Sequence, residues 1–397
     1  MSDACILFVD DDPGVLSSMR RMMHPMRAQW KMLFAPGGKE ALEIMEKESV
    51  DVVVSDMRMP EMNGAQLLAK IKSRHPMAAR IILSGHSERK MAIQAINVAH
   101  QYLNKPCAFE ELGNVITKTI LLRRMLGEPR LCELANGVVR MPSLPEHYMA
   151  ITAELGSDEP SMERAAEIIQ SDPAMTMTVL RLVNSGFFGL SSRINTVNEA
   201  IGMLGLELLR NLTLATGLFS KYESAKSFSI DKFTRRALAV GTLARKMAAQ
   251  TGAPKVVIEE SFIAGMLCDV GQLMLNTTLD EEYGRLLTQA AEERLCIATL
   301  EKENFGASHA EIGAYLMGLW GFADGITEAV AFHHHPQDSV TAISPQPLVF
   351  VHAADALVDK CIEGLGGDER LNQIFIAQVG LAEHLSVWRE MSKSLTN

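Results

Sequence analysis

Four short apolar runs in the first third of the chain each end on a residue able to handle phosphate. Ile6–Val9 runs into Asp10-Asp11-Asp12, Val52–Val54 leads to Asp56, Arg80–Leu83 to Ser84, and Gln101–Asn104 to Lys105-Pro106. Carboxylates facing one cavity repel each other unless a hard cation lies between them. Mg²⁺ takes oxygen ligands and keeps positions open for phosphate oxygens. An ammonium and a hydroxyl on the same rim would hold the remaining oxygens of a phosphoryl group. The chemistry that fits is attack by a carboxylate on phosphorus, giving an aspartyl phosphate.

Such a rim needs a scaffold that brings several strand ends together. The four runs and a weaker one at Lys31–Ala35 read as strands, and helical patterns alternate with them. In the first, Pro13 to Met26, apolar residues fall at 15, 16, 19, 22, 23 and 26; Pro13 suits a first helical position and follows an aspartate able to cap. Strands alternating with helices imply a doubly wound α/β fold whose parallel sheet is covered on both faces. Its ligand site lies beyond the C-terminal strand ends.

Residues 4 to 124 resemble a response-regulator receiver domain, through SDMRMPEMNG (Ser55–Gly64), LSGH and YLNKPC. The resemblance implies a five-stranded, flavodoxin-like domain over 1–125. It makes Asp56 the phosphoacceptor, with Mg²⁺ held by Asp10, Asp11, Asp56 and the backbone carbonyl of Arg58. Ser84 and Lys105 would contact the phosphoryl group, and Tyr102 matches an aromatic that swings inward on activation.

The whole chain, at 397 residues, suggests two or three domains. It carries 38 basic and 48 acidic residues, a balance of −10 without a basic block, so phosphate-neutralising binding to nucleic acid is not expected. The six cysteines form no CxxC pair and suit reduced thiols in the cytoplasm. No signal peptide or membrane span is read, and the 24 methionines suit adaptable helix cores.

The helix starting near Phe109 carries apolar residues at 112, 115, 116, 120 and 122, and a helical pattern runs on toward Leu134, interrupted by Gly127 and Pro129, so an unbroken helix is not expected. Residues 126–140 are read as a linker, either signal-carrying or a plain tether. Helical periods then dominate to the end. Ser161 opens one helix, Asp172-Pro173 caps the next, and a break is expected around Gly205. The run from SLP through SDPAMTMTVLRLVNSGFFGL to EAIGMLGLELLRNL resembles the HDOD family, all-α output modules related to HD phosphohydrolases. The likeness covers 141–340, with 341–397 a C-terminal helical extension packed on the HD-like part.

HD hydrolases bind one or two metals through a histidine, a His-Asp pair, a histidine, a His-His pair and a closing aspartate. Imidazole and carboxylate suit transition ions whose bound water attacks a phosphoester. By this resemblance the positions fall on Arg236, Cys268-Asp269, His309, His333-His334 and Asp355, with His352 on the same helical face as Asp355. Cysteine can bind Zn²⁺, but a guanidinium cannot ligate a cation and repels one beside it. No GYP-like segment follows His335-Pro336. The pocket is therefore read as vestigial, with no hydrolase residue and no transition metal expected, and Arg236 could instead pair with Asp269 or Asp355.

The resemblances imply a two-component response regulator. A sensor histidine kinase would phosphorylate Asp56, the HDOD module would change its contacts with an unidentified protein partner, and the last receiver helices could pair two copies as a homodimer. The receiver would catalyse only its own phosphorylation and dephosphorylation. Rival readings are a metal-dependent phosphohydrolase and a non-cleaving sensor of a cyclic dinucleotide.

Overall fold

The computed structural model describes residues 4–84, 98–138, 142–184, 193–216, 220–221, 228–293, 295–339, 346–362 and 370–393. They fall into two compact units, one formed mainly by 4–138 and the other by most of 142–393.

The first unit is a five-stranded parallel sheet in the order β2-β1-β3-β4-β5. Its strands are β1 (Ala4–Val9), β2 (Trp30–Ala35), β3 (Val52–Asp56), β4 (Ala79–Ser84) and β5 (Gln101–Asn104). Ile6 pairs with Met32 on one side and Val52 on the other, and Ser84 is in register with Asn104. β1, β3 and β4 are buried along their whole length, as expected of parallel strands covered on both faces. That register brings Asp10, Asp56, Ser84 and Lys105 to one end of the sheet.

The described helices of this unit are α1 (Pro13–Met22), α2 (Gly38–Met45), α3 (Gly64–Arg74), α4 (Phe109–Met125) and α5 (Pro129–Gly137). Asp12 caps α1 as expected, accepting from the Gly14 amide at 2.7 Å. However, α1 stops at Met22, short of the Met26 read from periodicity. A 3₁₀ turn, His24–Ala28, follows, because Pro25 has no N–H to continue the α-helical ladder.

The stretch read as a linker contains α5, which is tied to the base of the sheet through Arg80. This buried guanidinium donates from Nε to Val98 O at 2.7 Å and from Nη2 to Asn136 O at 2.9 Å. In return, Asn136 Nδ2 donates to Met77 O at 2.9 Å. His100 accepts the Arg80 amide on Nδ1, and burial followed by the Arg80 charge hold its pKa well below the usual range.

The second unit is helical apart from a two-residue parallel pairing of β6 (Pro142–Ser143) with β7 (Ser220–Lys221). Helices α6–α10 are Pro145–Gly156, Met162–Gln170, Pro173–Asn184, Val197–Leu204 and Leu206–Thr216. Ser161 and Asp172 cap α7 and α8, and the break between α9 and α10 falls at Gly205. Then come α11 (Ile230–Gln250), α12 (Lys255–Leu267), α13 (Val270–Thr278), α14 (Asp280–Glu293) and α15 (Ile297–Phe305). α16 (His309–Leu319), α17 (Asp324–Phe332), α18 (Pro347–Ile362), α19 (Gln373–Gln378) and α20 (Leu385–Lys393) complete it. α20 anchors the C-terminal extension: fully buried Trp388 meets the Phe350 ring edge-on and donates to Gln250 Oε1 at 3.2 Å.

Candidate functional site

In the first unit, Asp56 is buried at the end of β3, and Lys105 Nζ lies 2.5 Å from its Oδ1 and 2.7 Å from Asp10 Oδ2. The Arg58 amide donates to Asp56 Oδ2 at 2.7 Å. Gly64 lets the following loop close on this strand end, since a Cβ there would sit 2.2 Å from Asp56 O. Burial raises the Asp56 pKa, opposed by Lys105 and reinforced by Asp10. For Lys105, burial acts to lower the pKa but is outweighed by hydrogen bonds to Asp10 and Asp56, so the ammonium is favoured. Asp11 is exposed beside the pair, while Ser84 is buried at the end of β4. Oxygen donors converging around one ammonium suit a hard divalent cation as a further counter-charge. Tyr102 is turned into the core; its hydroxyl has no hydrogen-bond partner among the described residues, and burial raises its pKa. The remainder of LSGH after Ser84 lies outside the described residues.

In the second unit, α11, α16, the end of α17 and α18 converge around Asp269, which sits between α12 and α13. Arg236 on α11 bridges two buried carboxylates, donating from Nη1 to Asp269 Oδ2 and from Nη2 to Asp355 Oδ1 at 2.6 Å. On the other side of Asp269, His309 Nε2 is 3.2 Å from Oδ1 and His333 Nε2 is 3.8 Å away. His334 Nε2 meets His309 Nε2 at 3.0 Å, and its Nδ1 lies 3.8 Å from Asp355 Oδ2. Gly271 makes this convergence possible. A Cβ there would be 2.1 Å from His309 O, so only glycine lets α13 start against the first residue of α16.

The electrostatics follow from these contacts. Burial alone would raise the Asp269 pKa, but Arg236 and then His309 and His333 hold it well below the usual carboxylate range. Burial would likewise lower that of His309; Glu301 and Asp269 instead push it up to about 10. His334 is held well below the usual range by burial and then by His333 and His309.

Residues 6–117 match the response regulator receiver domain family and residues 141–336 the HDOD domain family. The chain is a receiver–HDOD response regulator. Its receiver is five-stranded and flavodoxin-like, and its HDOD region is helical, as read from the sequence. An uncharacterized protein of Treponema pallidum (strain Nichols) is 26% identical over 202 residues, 51% of this chain and 39% of that one. The DNA-binding transcriptional regulator NtrC of Klebsiella pneumoniae is 30% identical over 179 residues, 45% of this chain and 35% of NtrC. The chain thus spans well under half the length of these curated relatives, and DNA binding is said of NtrC alone. A crystal structure of the MmoQ response regulator (fragment 20–298) from Methylococcus capsulatus str. Bath is 26% identical. It superposes with a TM-score of 0.50, covering 62% of this chain and 94% of that one.

All the receiver positions read from sequence map to the end of the sheet or, for Tyr102, to the core beneath it. All seven HD-like positions fall in one buried cluster, with Asp355 supplied from beyond the matched HDOD segment. Cys268 is buried, and its thiol turns back to Gly265 O on its own helix at 3.2 Å. His352 is a strut: its Nδ1 faces His333 O at 2.7 Å, and its Nε2 accepts the Asn372 amide at 2.9 Å.

Glu301 was not singled out by sequence reasoning. Fully buried on α15, it accepts from the His309 amide at 2.7 Å, from His309 Nδ1 at 2.6 Å and from Tyr283 OH at 2.7 Å. The available signal was a carboxylate among the buried face residues Ala298, Leu300 and Phe305. Among the described residues, no helix is long and apolar enough to cross a membrane.

Proposed function

We propose that this receiver–HDOD protein takes a phosphoryl group from a sensor histidine kinase onto Asp56 and passes the signal on through regulated protein–protein contacts of its HDOD domain, in the cytoplasm. The observation that carries this reading is the buried Asp56 carboxylate held 2.5 Å from Lys105 Nζ at the C-terminal sheet end. An Asp56 oxygen attacks phosphorus, the bond from phosphorus to the donor atom breaks, and the electron pair leaves with the donor. Asp10, Asp11, Asp56 and the Arg58 carbonyl would hold Mg²⁺, which supplies charge neutralisation for the transferring group. Lys105 offsets the charge of the acyl phosphate. Ser84 and Tyr102 report the new group by changing their contacts, because a phosphoryl group acts only by binding one receiver state better than the other.

The HDOD pocket supports transmission and not hydrolysis, since the Arg236 guanidinium bridges the carboxylates that a two-metal hydrolase would give to an ion. Incubating the full chain with radiolabelled acetyl phosphate and Mg²⁺ tests the proposal. Labelling should be lost in Asp56→Asn and strongly reduced in Asp10→Asn; undiminished labelling of Asp56→Asn refutes the assignment.

A further inference from the structure

No residue of α1 is fully buried, whereas α2 buries Ala41, Leu42 and Met45 and α3 buries Leu67, Leu68 and Ile71. The apolar side of α1, from Val15 to Met22, is a helix face that the fold leaves partly uncovered, and Met22 at its end is 46% exposed. Cations surround that end. Arg20 lies over the Phe34 ring at 4.6 Å, Arg21 Nη2 donates to Ser18 Oγ at 3.3 Å, and Arg27 Nη1 donates to His24 Nε2 at 2.7 Å. All three guanidiniums are exposed and, among the described residues, none meets a carboxylate; Lys31 is satisfied by Glu48 at 2.6 Å. From 13 to 39 the chain has five basic residues and no acidic one, although its overall balance is −10.

The helical unit carries the opposite pattern. Residues 146–172 hold seven acidic side chains and one basic, and that one, Arg164, is already paired with Glu167 at 3.0 Å. α6 packs against α7, and the turn joining them presents exposed Asp158 and Glu159. Met162, 46% exposed, and exposed Glu163 follow at the start of α7. Among the described residues none of these three carboxylates meets a cation. Each patch is thus an exposed methionine beside three unpaired charges of one sign, and the two signs are opposite.

We propose that the Met22 end of α1 is a docking surface for a second copy of this chain, which brings its Met162 turn to it. Asp158, Glu159 and Glu163 of one copy then meet Arg20, Arg21 and Arg27 of the other. Charge complementarity carries the choice of occupant. Residues 1–125 hold 17 basic and 14 acidic side chains, and residues 126–397 hold 21 and 34, so one polypeptide supplies both signs. An apolar centre with charges at the rim is the layout of a protein interface, and the charges set partner choice and encounter rate. Phe34, Ser18 and His24 already hold the three arginines, so little side-chain freedom is lost on binding. Like faces repel, so the contact is heterologous, α1 of one copy on the turn of the next. A nucleic acid or an anionic membrane would use the basic face alone and leave the acidic turn without a role.

This stands or falls without the phosphorylation reading, because α1 starts beside the Asp12 cap and these arginines lie toward its other end and beyond. The test is sedimentation equilibrium of the full chain at about 0.1 mM. It is run in about 0.01 M and about 1 M NaCl, between which the Debye length falls from about 30 Å to about 3 Å. The wild type is expected to associate at the lower salt, with a dissociation constant at least about tenfold higher at the upper one. Arg20→Glu/Arg21→Glu/Arg27→Glu and, separately, Asp158→Lys/Glu159→Lys/Glu163→Lys should each sediment as one chain with an unchanged far-UV spectrum. Mixing these two variants pairs opposite charges again and should restore association. The milder Arg20→Gln/Arg21→Gln/Arg27→Gln set, which decides the matter where charge reversal disturbs the fold, should weaken association at least about tenfold. A single-chain mass for the wild type at low salt, wild-type association in any of the three variants, or no association of the mixture would each overturn the proposal.

Discussion

Replacing Arg236 by methionine keeps much of the apolar stem and removes the one guanidinium that bridges Asp269 and Asp355. The Asp269 and Asp355 side chains are only 5% and 3% exposed, so water cannot take over from the lost donors. Asp269 keeps His309 Nε2 at 3.2 Å, whereas the nearest remaining ring nitrogen to Asp355 is His334 Nδ1 at 3.8 Å. Breaking a buried ion pair from one side costs about 3–5 kcal/mol. A ceiling follows from proton uptake. A carboxylate of ordinary pKa, about 3.9, can be neutralised at pH 7 for about 4 kcal/mol and at pH 5 for about 1.5 kcal/mol.

The loss should therefore be about 3–4 kcal/mol at pH 7 and shrink toward about 1.5 kcal/mol at pH 5. The sign follows because a carboxylate buried without a cation favours its neutral form, so protonation relieves the loss at low pH and the relief fades as pH rises. Urea unfolding in EDTA, followed by tryptophan fluorescence with buried Trp388 reporting on this unit, measures both values. Adding Asp355→Asn should recover a substantial part of the loss at pH 7. A cost under about 1 kcal/mol at pH 7, or one that does not shrink at pH 5, would refute the bridging role argued for Arg236.

Gly271→Ala forces a Cβ to 2.1 Å from His309 O, so the helical unit should lose several kcal/mol, on the order of overpacking a core, measured by its urea midpoint. A receiver fragment ending at Met125 leaves Arg80 Nη2 without Asn136 O, and should melt below a fragment ending at Val138 by about 1–3 kcal/mol. His147 is raised in pKa chiefly by its hydrogen bond to Asp172, against burial. Its contribution, under about 1 kcal/mol, is fully present below the ordinary histidine pKa and is lost as pH rises through the folded-state value. His147→Gln should flatten that slope in urea midpoints taken from pH 5.5 to 8.5, as the linkage requires (about neutral on either side).

Local chemistry made the receiver legible. Parallel strands buried on both faces must be apolar runs, and the residues that end them must line the same rim, so Asp10, Asp56, Ser84 and Lys105 could be placed together from order alone. Where periodicity overran, at Met26, the local chemistry of Pro25 decided otherwise. The stretch 126–140 shows a different limit. A helical pattern toward Leu134 was legible there, but its tie to the sheet was not, because that tie is a hydrogen bond from Arg80, 56 residues earlier.

The sequence alone determined the donor types in the helical pocket and the replacement of two of them by Arg236 and Cys268. It could not assign those replacements to one side, since Arg236 reaches Asp355 across 119 residues and no local pattern encodes that pairing. Only the tertiary structure brought Glu301 behind His309, turned the Cys268 thiol onto its own helix, and left His333 Nε2 facing the pocket. Side-chain type is a property of the chain. Which charges neutralise each other is decided by distance, and distance is set by how the helices pack.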